Sequence, residues 1–235
     1  VQRLRLIGRI SLTAITAEGP LVLTDPELIV EFPLSDVTPL HFAFSPALPT
    51  AAVLELSFSN PTAECIFLEF NDESGSAVIT ATTASYTVNI KCNSPAFEPP
   101  QVIAQFATGS GVYYQDVKSA ALQTKGDLVF TINNQPIEAH TSFVVGQIYT
   151  VVAQFAPTPT ATQTVMISQL TTPADCVFQL RGTGLYTREP VFVQINTIES
   201  FTANMMCRRT HSVGSHITIS SNAYKGSAIG PVPVY

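Results

Sequence analysis

Four short blocks of this chain recur in the same order, and that recurrence limits the fold more than any other feature. Pro61-Thr62-Ala63-Glu64-Cys65-Ile66-Phe67 is echoed by Pro173-Ala174-Asp175-Cys176-Val177-Phe178, with the cysteines 111 residues apart. Ser85-Tyr86-Thr87-Val88-Asn89-Ile90-Lys91-Cys92 is echoed by Ser200-Phe201-Thr202-Ala203-Asn204-Met205-Met206-Cys207 at an offset of 115, with Ser, Thr, Asn and Cys identical. Phe44-Ser45-Pro46 and Pro49-Thr50-Ala51 return as Phe155-Ala156-Pro157 and Pro159-Thr160-Ala161, again 111 residues on. Leu21-Val22-Leu23-Thr24 matches Leu128-Val129-Phe130-Thr131 at an offset of 107. Ordered blocks with nearly constant offsets are the mark of a repeated structural unit. The sequence therefore predicts two tandem copies of one module, residues 1–107 and 108–235, the first of them acidic.

Within the blocks the apolar period is two. Val1 to Leu12 alternates Leu4, Leu6, Ile10 and Leu12 with Arg3, Arg5 and Arg9 on the opposite face, as a half-buried strand does. Val151–Phe155, Val165–Ile167, Cys176–Leu180 and Val191–Ile195 are short, β-branched or aromatic, and bounded by Pro, Gly or Thr. Residues 117–123 are the one stretch that suggests a helical turn or two. Charged residues make up 12% of the chain, against about 25% in an average soluble domain. Thr, Ser, Ala and Val fill the difference, which suits strands. Strand candidates spaced about 8–12 residues apart predict an all-β protein of two tandem immunoglobulin-like antiparallel β-sandwich modules. A single large jelly roll is the competing architecture, and the internal repeat counts against it. Phe155-x-Pro157 followed by Leu180-Arg181-Gly182-Thr183-Gly184 resembles the late strands of hydin-type immunoglobulin-like repeats. That resemblance implies a sandwich fold, and no function is carried over from it.

Each copy owns one pair of cysteines, Cys65 with Cys92 and Cys176 with Cys207, and pairing within a copy gives each module its own crosslink. Disulfides belong to an oxidising compartment; buried free thiols in an intracellular protein are the alternative. A simple three-strand meander over residues 65–92 would put its two cysteines at opposite ends, beyond disulfide reach. A disulfide therefore requires the intervening segment to cross between sheets.

No catalytic signature is present: no G-x-S-x-G elbow, no phosphate-binding glycine loop and no H-E-x-x-H. His41 and His140 occupy unrelated places in the repeat and are read as ordinary surface histidines. His211, Ser212 and His216 are close in sequence but lack an identifiable acid. Cys207, His211 and His216 supply only three candidate ligands, so no metal site is predicted. Asn71-Asp72-Glu73-Ser74-Gly75 gathers oxygens but matches the backbone needs of a turn. No cofactor is expected. With 11 basic residues and a pI of 5.1 the chain does not read as nucleic-acid binding, and no apolar run is long enough to span a membrane. Asn60-Pro61-Thr62 carries the proline that forbids N-glycosylation. The sequence opens at Val1 with no initiator Met and no apolar leader, as expected of a processed chain or a fragment.

Charge is distributed unevenly. Residues 10–90 hold ten acids and no Lys or Arg, whereas residues 207–235 hold Arg208, Arg209 and Lys225 and no acid. Opposed fields of this kind orient association. The expectation is a non-enzymatic structural subunit of an extracellular assembly, whether filament, surface layer or virion shell. It would polymerise head to tail with itself through sheet edges and termini, with Arg3, Leu4, Arg5, Leu6, Arg9, Ile10, Arg208 and Arg209 as assembly residues. Val1–Leu12 is read either as the first strand of its own module or as a strand donated to a neighbour's sheet, and the proline-bearing tail Ile229–Tyr235 as an extended segment that docks likewise. The alternative class is an adhesin or receptor-type module that binds through loops at one end of the sandwich.

Overall fold

The computed structural model describes residues 7–49, 51–60, 65–96, 98–108, 113–136, 142–159, 162–169, 176–180, 191–195 and 200–235. They form strands and connecting loops, with no helix among the described residues. The chain divides into two compact units, Val1–Lys125 and Gly126–Tyr235, and each buries a hydrophobic cluster of its own.

In the first unit the strands are β1 (Ile7–Thr16), β2 (Gly19–Val22), β3 (Ile29–Phe32), β4 (Thr38–Leu48), β5 (Ala52–Phe58), β6 (Cys65–Phe67), β7 (Ser74–Ile79), β8 (Thr83–Cys92), β9 (Val102–Ala107), β10 (Tyr113–Tyr114), β11 (Val117–Lys118) and β12 (Ala121–Thr124). One sheet runs β10-β1-β4-β8-β6, with β2 also on β1, and the other runs β11-β9-β5-β7. The period-two pattern decides which residues face inward. Phe42, Leu40, Val88 and Ile90 from the first sheet meet Leu54, Leu56, Val102 and Ala104 from the second in one cluster, which is how two antiparallel sheets make a sandwich.

The second unit contains β13 (Gly126–Ile132), β14 (Gln135–Pro136), β15 (Ile148–Ala156), β16 (Gln163–Gln169), β17 (Cys176–Leu180), β18 (Val191–Ile195), β19 (Ser200–Cys207), β20 (His211–Ser221), β21 (Tyr224–Lys225) and β22 (Ser227–Val234). Its sheets run β21-β13-β15-β19-β17, with β14 on β13, and β22-β20-β16-β18. Strand for strand, this order matches the first unit. The closing parallel contact also recurs, since Phe32 pairs with Thr124 in β3 and β12 as Phe143 bridges Val234.

Two sequence expectations are corrected here. The units divide between Lys125 and Gly126, not near residue 108. Ile10 stands opposite Phe44 and Leu128 opposite Phe155, so β13 corresponds to β1. Leu21-Val22, by contrast, lies in the hairpin strand β2. The resemblance of Leu21–Thr24 to Leu128–Thr131 is thus one of composition, and it pulled the boundary forward. Residues 117–123 are also not helical. β11 pairs antiparallel with β9 and β12 pairs parallel with β3, and Ala120 and Leu122 are buried between them.

Candidate interaction surface

The disulfides anchor one end of each unit. β6 and β8 run antiparallel with Cys65 directly opposite Cys92, and β17 and β19 set Cys176 opposite Cys207. Both pairs are bonded, with Cα separations of 4.0 and 3.8 Å. The intervening segment does cross over, because β7 lies in the opposite sheet. Each crosslink therefore ties neighbouring strands of one sheet, not the two sheets of the sandwich.

A loop is fastened to each crosslink. The Cys92 carbonyl accepts the Ser35 amide at 2.7 Å, and the Cys207 carbonyl accepts the Gly146 amide at 2.8 Å. Ser35 and Gly146 both adopt left-handed backbone, with φ of 66° and 79°. In the second unit the loop is further committed. The Tyr149 hydroxyl accepts the Val144 amide at 2.8 Å, the Gln147 amide reaches the Val144 carbonyl, and the Val145 amide donates to the Tyr235 carbonyl at 2.7 Å. Phe143 fills the space beneath, fully buried and edge-on to Tyr149 at 5.0 Å. With its polar backbone satisfied internally, the loop turns Val144, Val145 and Ile148 outward beside Tyr235, at exposures of 50%, 37%, 54% and 66%. Arg208 and Arg209 leave Cys207 at the same end and are exposed.

In the first unit, Val37 occupies the place of Ile148 and is exposed to the same degree, 55%, but its neighbour is Asp36. Asp25, Glu27, Leu28 and Ile29 lie exposed shortly before it. Glu31 is paired with Lys125 at 3.6 Å. The first unit holds six Lys and Arg against twelve Asp and Glu, and the second holds five of each, so the net charge of -6 belongs to the first.

At the opposite end of each unit an aromatic residue is locked into the backbone. Tyr114, 1% exposed, donates its hydroxyl to the carbonyl of Pro46; Tyr224, also 1% exposed, donates to that of Pro157 at 2.7 Å. Both prolines follow cis peptide bonds. Gly8 and Gly126 lie against the two rings, where a Cβ would clash. Burial pushes the Tyr114 hydroxyl upward and that of Tyr224 up to about 12. This Gly-Tyr-Pro arrangement was missed in the sequence. Its signals are the repeat spacings of Tyr114 and Tyr224, of Pro46 and Pro157, and of Gly8 and Gly126.

The predicted assembly residues fall in three groups. Arg3, Leu4, Arg5 and Leu6 lie outside the described residues. Arg9 is exposed, opposite Ser45, and Ile10 packs against the first core. From Ile7 onward β1 is a strand of its own unit, hydrogen-bonded to β4 and burying Leu12 and Ala14. Of the two readings of this segment, the first strand of its own module is the one this stretch follows. The tail Ile229–Tyr235 is likewise engaged. β22 pairs with β20, and Val232 and Val234 enter the second core. Arg208 and Arg209 remain free of any strand ladder and sit beside apolar side chains that the sequence reading did not single out.

The candidate chemical groups are dispersed. His41 Nδ1 lies 3.1 Å from Thr87 Oγ1 on an outer sheet face. His140 is outside the described residues, as are Arg181–Gly184 and the side chains of His211, Ser212 and His216. Cys207 is committed to its disulfide and is no thiolate ligand. Asn71, at φ 53°, turns the chain; there Asp72 accepts the following amide at 2.7 Å and its carbonyl accepts the Phe67 amide. Among the described residues no three His, Cys, Asp or Glu side chains converge on a metal-sized site, and no helix is long and apolar enough to cross a membrane.

No protein-family model matches the chain, and no curated protein matches it. Among solved structures, the adhesin InvE of Yersinia pseudotuberculosis aligns at a TM-score of 0.37 and 12% identity over 90% of this chain. The chain spans 58% of that adhesin's length. A two-domain protein of unknown function from Bacteroides fragilis aligns at 0.31 and 9% identity, covering 97% of this chain and 86% of that one. The calcium-binding domain CBD12 of CALX1.1 aligns at 0.27 and 8% identity, covering 82% and 75%. No function passes from any of them at these scores.

Proposed function

We propose that this protein is a non-enzymatic structural subunit of an extracellular assembly, made of two copies of one immunoglobulin-like sandwich module. The observation that carries the reading is the self-sufficiency of each unit. Each has its own core, its own buried crosslink and the same strand order, a device for spacing surfaces apart rather than for enclosing a substrate. Two disulfides in a chain with no free cysteine among its described residues suit an oxidising, extracellular setting. The matched strand order, the matched Gly-Tyr-Pro ends and the matched disulfide loops support an origin by tandem duplication. Exposed apolar side chains at a sandwich end favour contact with another macromolecule.

Electron microscopy of the purified protein tests the reading, with ordered polymers or particles as the expected result. A monodisperse monomer at all concentrations would overturn it and favour the binding-module class, in which the same end meets a different protein. Alkylation and intact mass measurement without reductant should find no reactive thiol; four alkylated cysteines would remove the extracellular assignment.

A further inference from the structure

We infer that the disulfide end of the second unit is a docking surface for a second copy of this chain, which presents the acidic Asp25–Val37 segment of its first unit. The inference rests on the assembly reading above and names the surfaces that would carry it.

Three observations lead there. First, the surface is built and not incidental. The loop bearing Val144, Val145 and Ile148 donates backbone amides to the carbonyls of Cys207 and Tyr235 and to the Tyr149 hydroxyl, so its apolar side chains are held outward with little ordering left to lose on binding. Second, it is at the far end of its unit from the chain entry. Gly126 and Asp127 pair at the Ala156 end of β15 and the loop precedes Ile148, so the nine-residue strand separates them by about 27 Å. Third, its charge has a counterpart on the same chain. Arg208 and Arg209 are exposed and directly follow Cys207, whose carbonyl holds the loop at Gly146, while in the first unit exposed Asp25, Glu27 and Asp36 alternate along the chain with exposed Leu28, Ile29 and Val37. Among the described residues of the second unit the one acid is Asp127, at the opposite end from this loop. An apolar surface beside positive charge and an apolar surface beside negative charge are complementary in both respects. The two surfaces differ, so the contact is heterologous. It propagates into a filament, or closes into a ring if the rotation allows.

Paired charge reversal on the full chain tests the inference by sedimentation velocity. Arg208→Glu with Arg209→Glu gives one variant, and Asp25→Lys with Glu27→Lys and Asp36→Lys gives the other. The wild type should self-associate, and raising salt from about 0.15 to 0.5 M should weaken it about tenfold or more, because exposed pairs are screened. Each variant alone places like charges across the contact and should sediment as a monomer, with thermal melts reporting intact folding. Mixed at equal concentration, the two should associate again, since each supplies the surface the other needs. A monomeric wild type would overturn both this inference and the assembly reading. Wild-type association that neither variant weakens would overturn this interface and leave the assembly reading standing. Folded, monomeric variants that fail to associate on mixing would overturn the pairing of these two surfaces.

Discussion

Replacing Gly8 by alanine should drive a methyl group into the ring of Tyr114. A Cβ at Gly8 would sit 2.3 Å from Cε1, 2.5 Å from Cδ1 and 2.9 Å from Cζ, far inside the roughly 3.5–4.0 Å at which carbon atoms rest. The ring has nowhere to go. It is wedged against Phe44 and Phe106 at centroid distances of 6.1 and 6.0 Å, and its hydroxyl is held by the carbonyls of Pro46 and Ala47. Forcing extra volume into such a site costs about 1–3 kcal/mol. An alanine in a strand recovers about 0.5–1 kcal/mol of backbone entropy that glycine forfeits, leaving a net loss centred on about 1 kcal/mol and reaching about 2.5 kcal/mol. Urea unfolding followed by tyrosine fluorescence should show the midpoint fall without a change in slope. Tyr114→Leu is destabilising by itself but removes the obstruction, so adding Gly8→Ala to it should cost nothing further. A Gly8→Ala chain as stable as wild type would refute the steric argument. So would an equal cost in both backgrounds, because it would place the constraint somewhere other than the ring.

In the second unit, alkaline pH should destabilise through Tyr224. The unfolded chain ionises near 10 and the folded one holds its proton to about 12. The folded state therefore binds more protons across that window, and stability falls as pH rises through it, by at most about 1.4 kcal/mol per pH unit. Tyr224→Phe should flatten this limb in urea titrations, and an unaltered limb would refute the assignment. Replacing Cys65 and Cys92 together by alanine reopens a loop of 27 residues and should lower stability by roughly 3–4 kcal/mol, measured by denaturant unfolding; a loss below about 1 kcal/mol would mean the crosslink constrains little. Ser119, fully buried, accepts the Val102 amide at 2.8 Å and donates to the Ala120 carbonyl at 2.7 Å. Ser119→Ala should cost about 1–3 kcal/mol by leaving that amide unpaired, and a change under about 0.5 kcal/mol would show that water replaces the hydroxyl.

Different parts of the molecule were legible in the sequence for different reasons. Cys176–Leu180 and Val191–Ile195 are strands over the full predicted ranges, because short apolar runs between turn residues permit little else. The requirement that residues 65–92 cross between sheets followed from disulfide reach alone, and β7 meets it. The boundary was not legible, since Leu, Val and Thr recur in any strand and Leu21–Thr24 imitates a strand to which it does not correspond. The alanines at 120 and 121 carry helical propensity, but parallel pairing with β3 overrides it. The docking end was invisible because Val144, Val145 and Ile148 look like core residues. What exposes them is the hydrogen bonding of Gly146 to Cys207, a contact between residues 61 positions apart.

What the two units keep and what they change bears on function. They keep the devices a sandwich needs: the cross-strand cysteines, the left-handed residue bonded to the second cysteine's carbonyl, the buried Tyr on a proline carbonyl, and the glycine beneath it. They even keep one feature with no internal use, the half-exposed apolar side chain of Val37 and Ile148. The charges around that side chain differ. Asp36 stands where the second unit has Gln147, and Asn93 stands where it has Arg208, each just beyond a conserved backbone contact. Folding places no demand on these exposed positions, where substitutions usually shift stability by less than about 0.5 kcal/mol. A difference confined to them therefore has no explanation in the stability of either unit. The proposed docking accounts for it: identical ends can meet only in a closed two-fold pair, whereas opposite charges beside a shared apolar centre give a contact that propagates. Replacing Gln147 by Asp and Arg208 by Asn, the residues at the matching exposed positions of the first unit, should leave the melting of the second unit nearly unchanged while abolishing self-association, a separation of folding from assembly that a purely structural role for the loop would not produce.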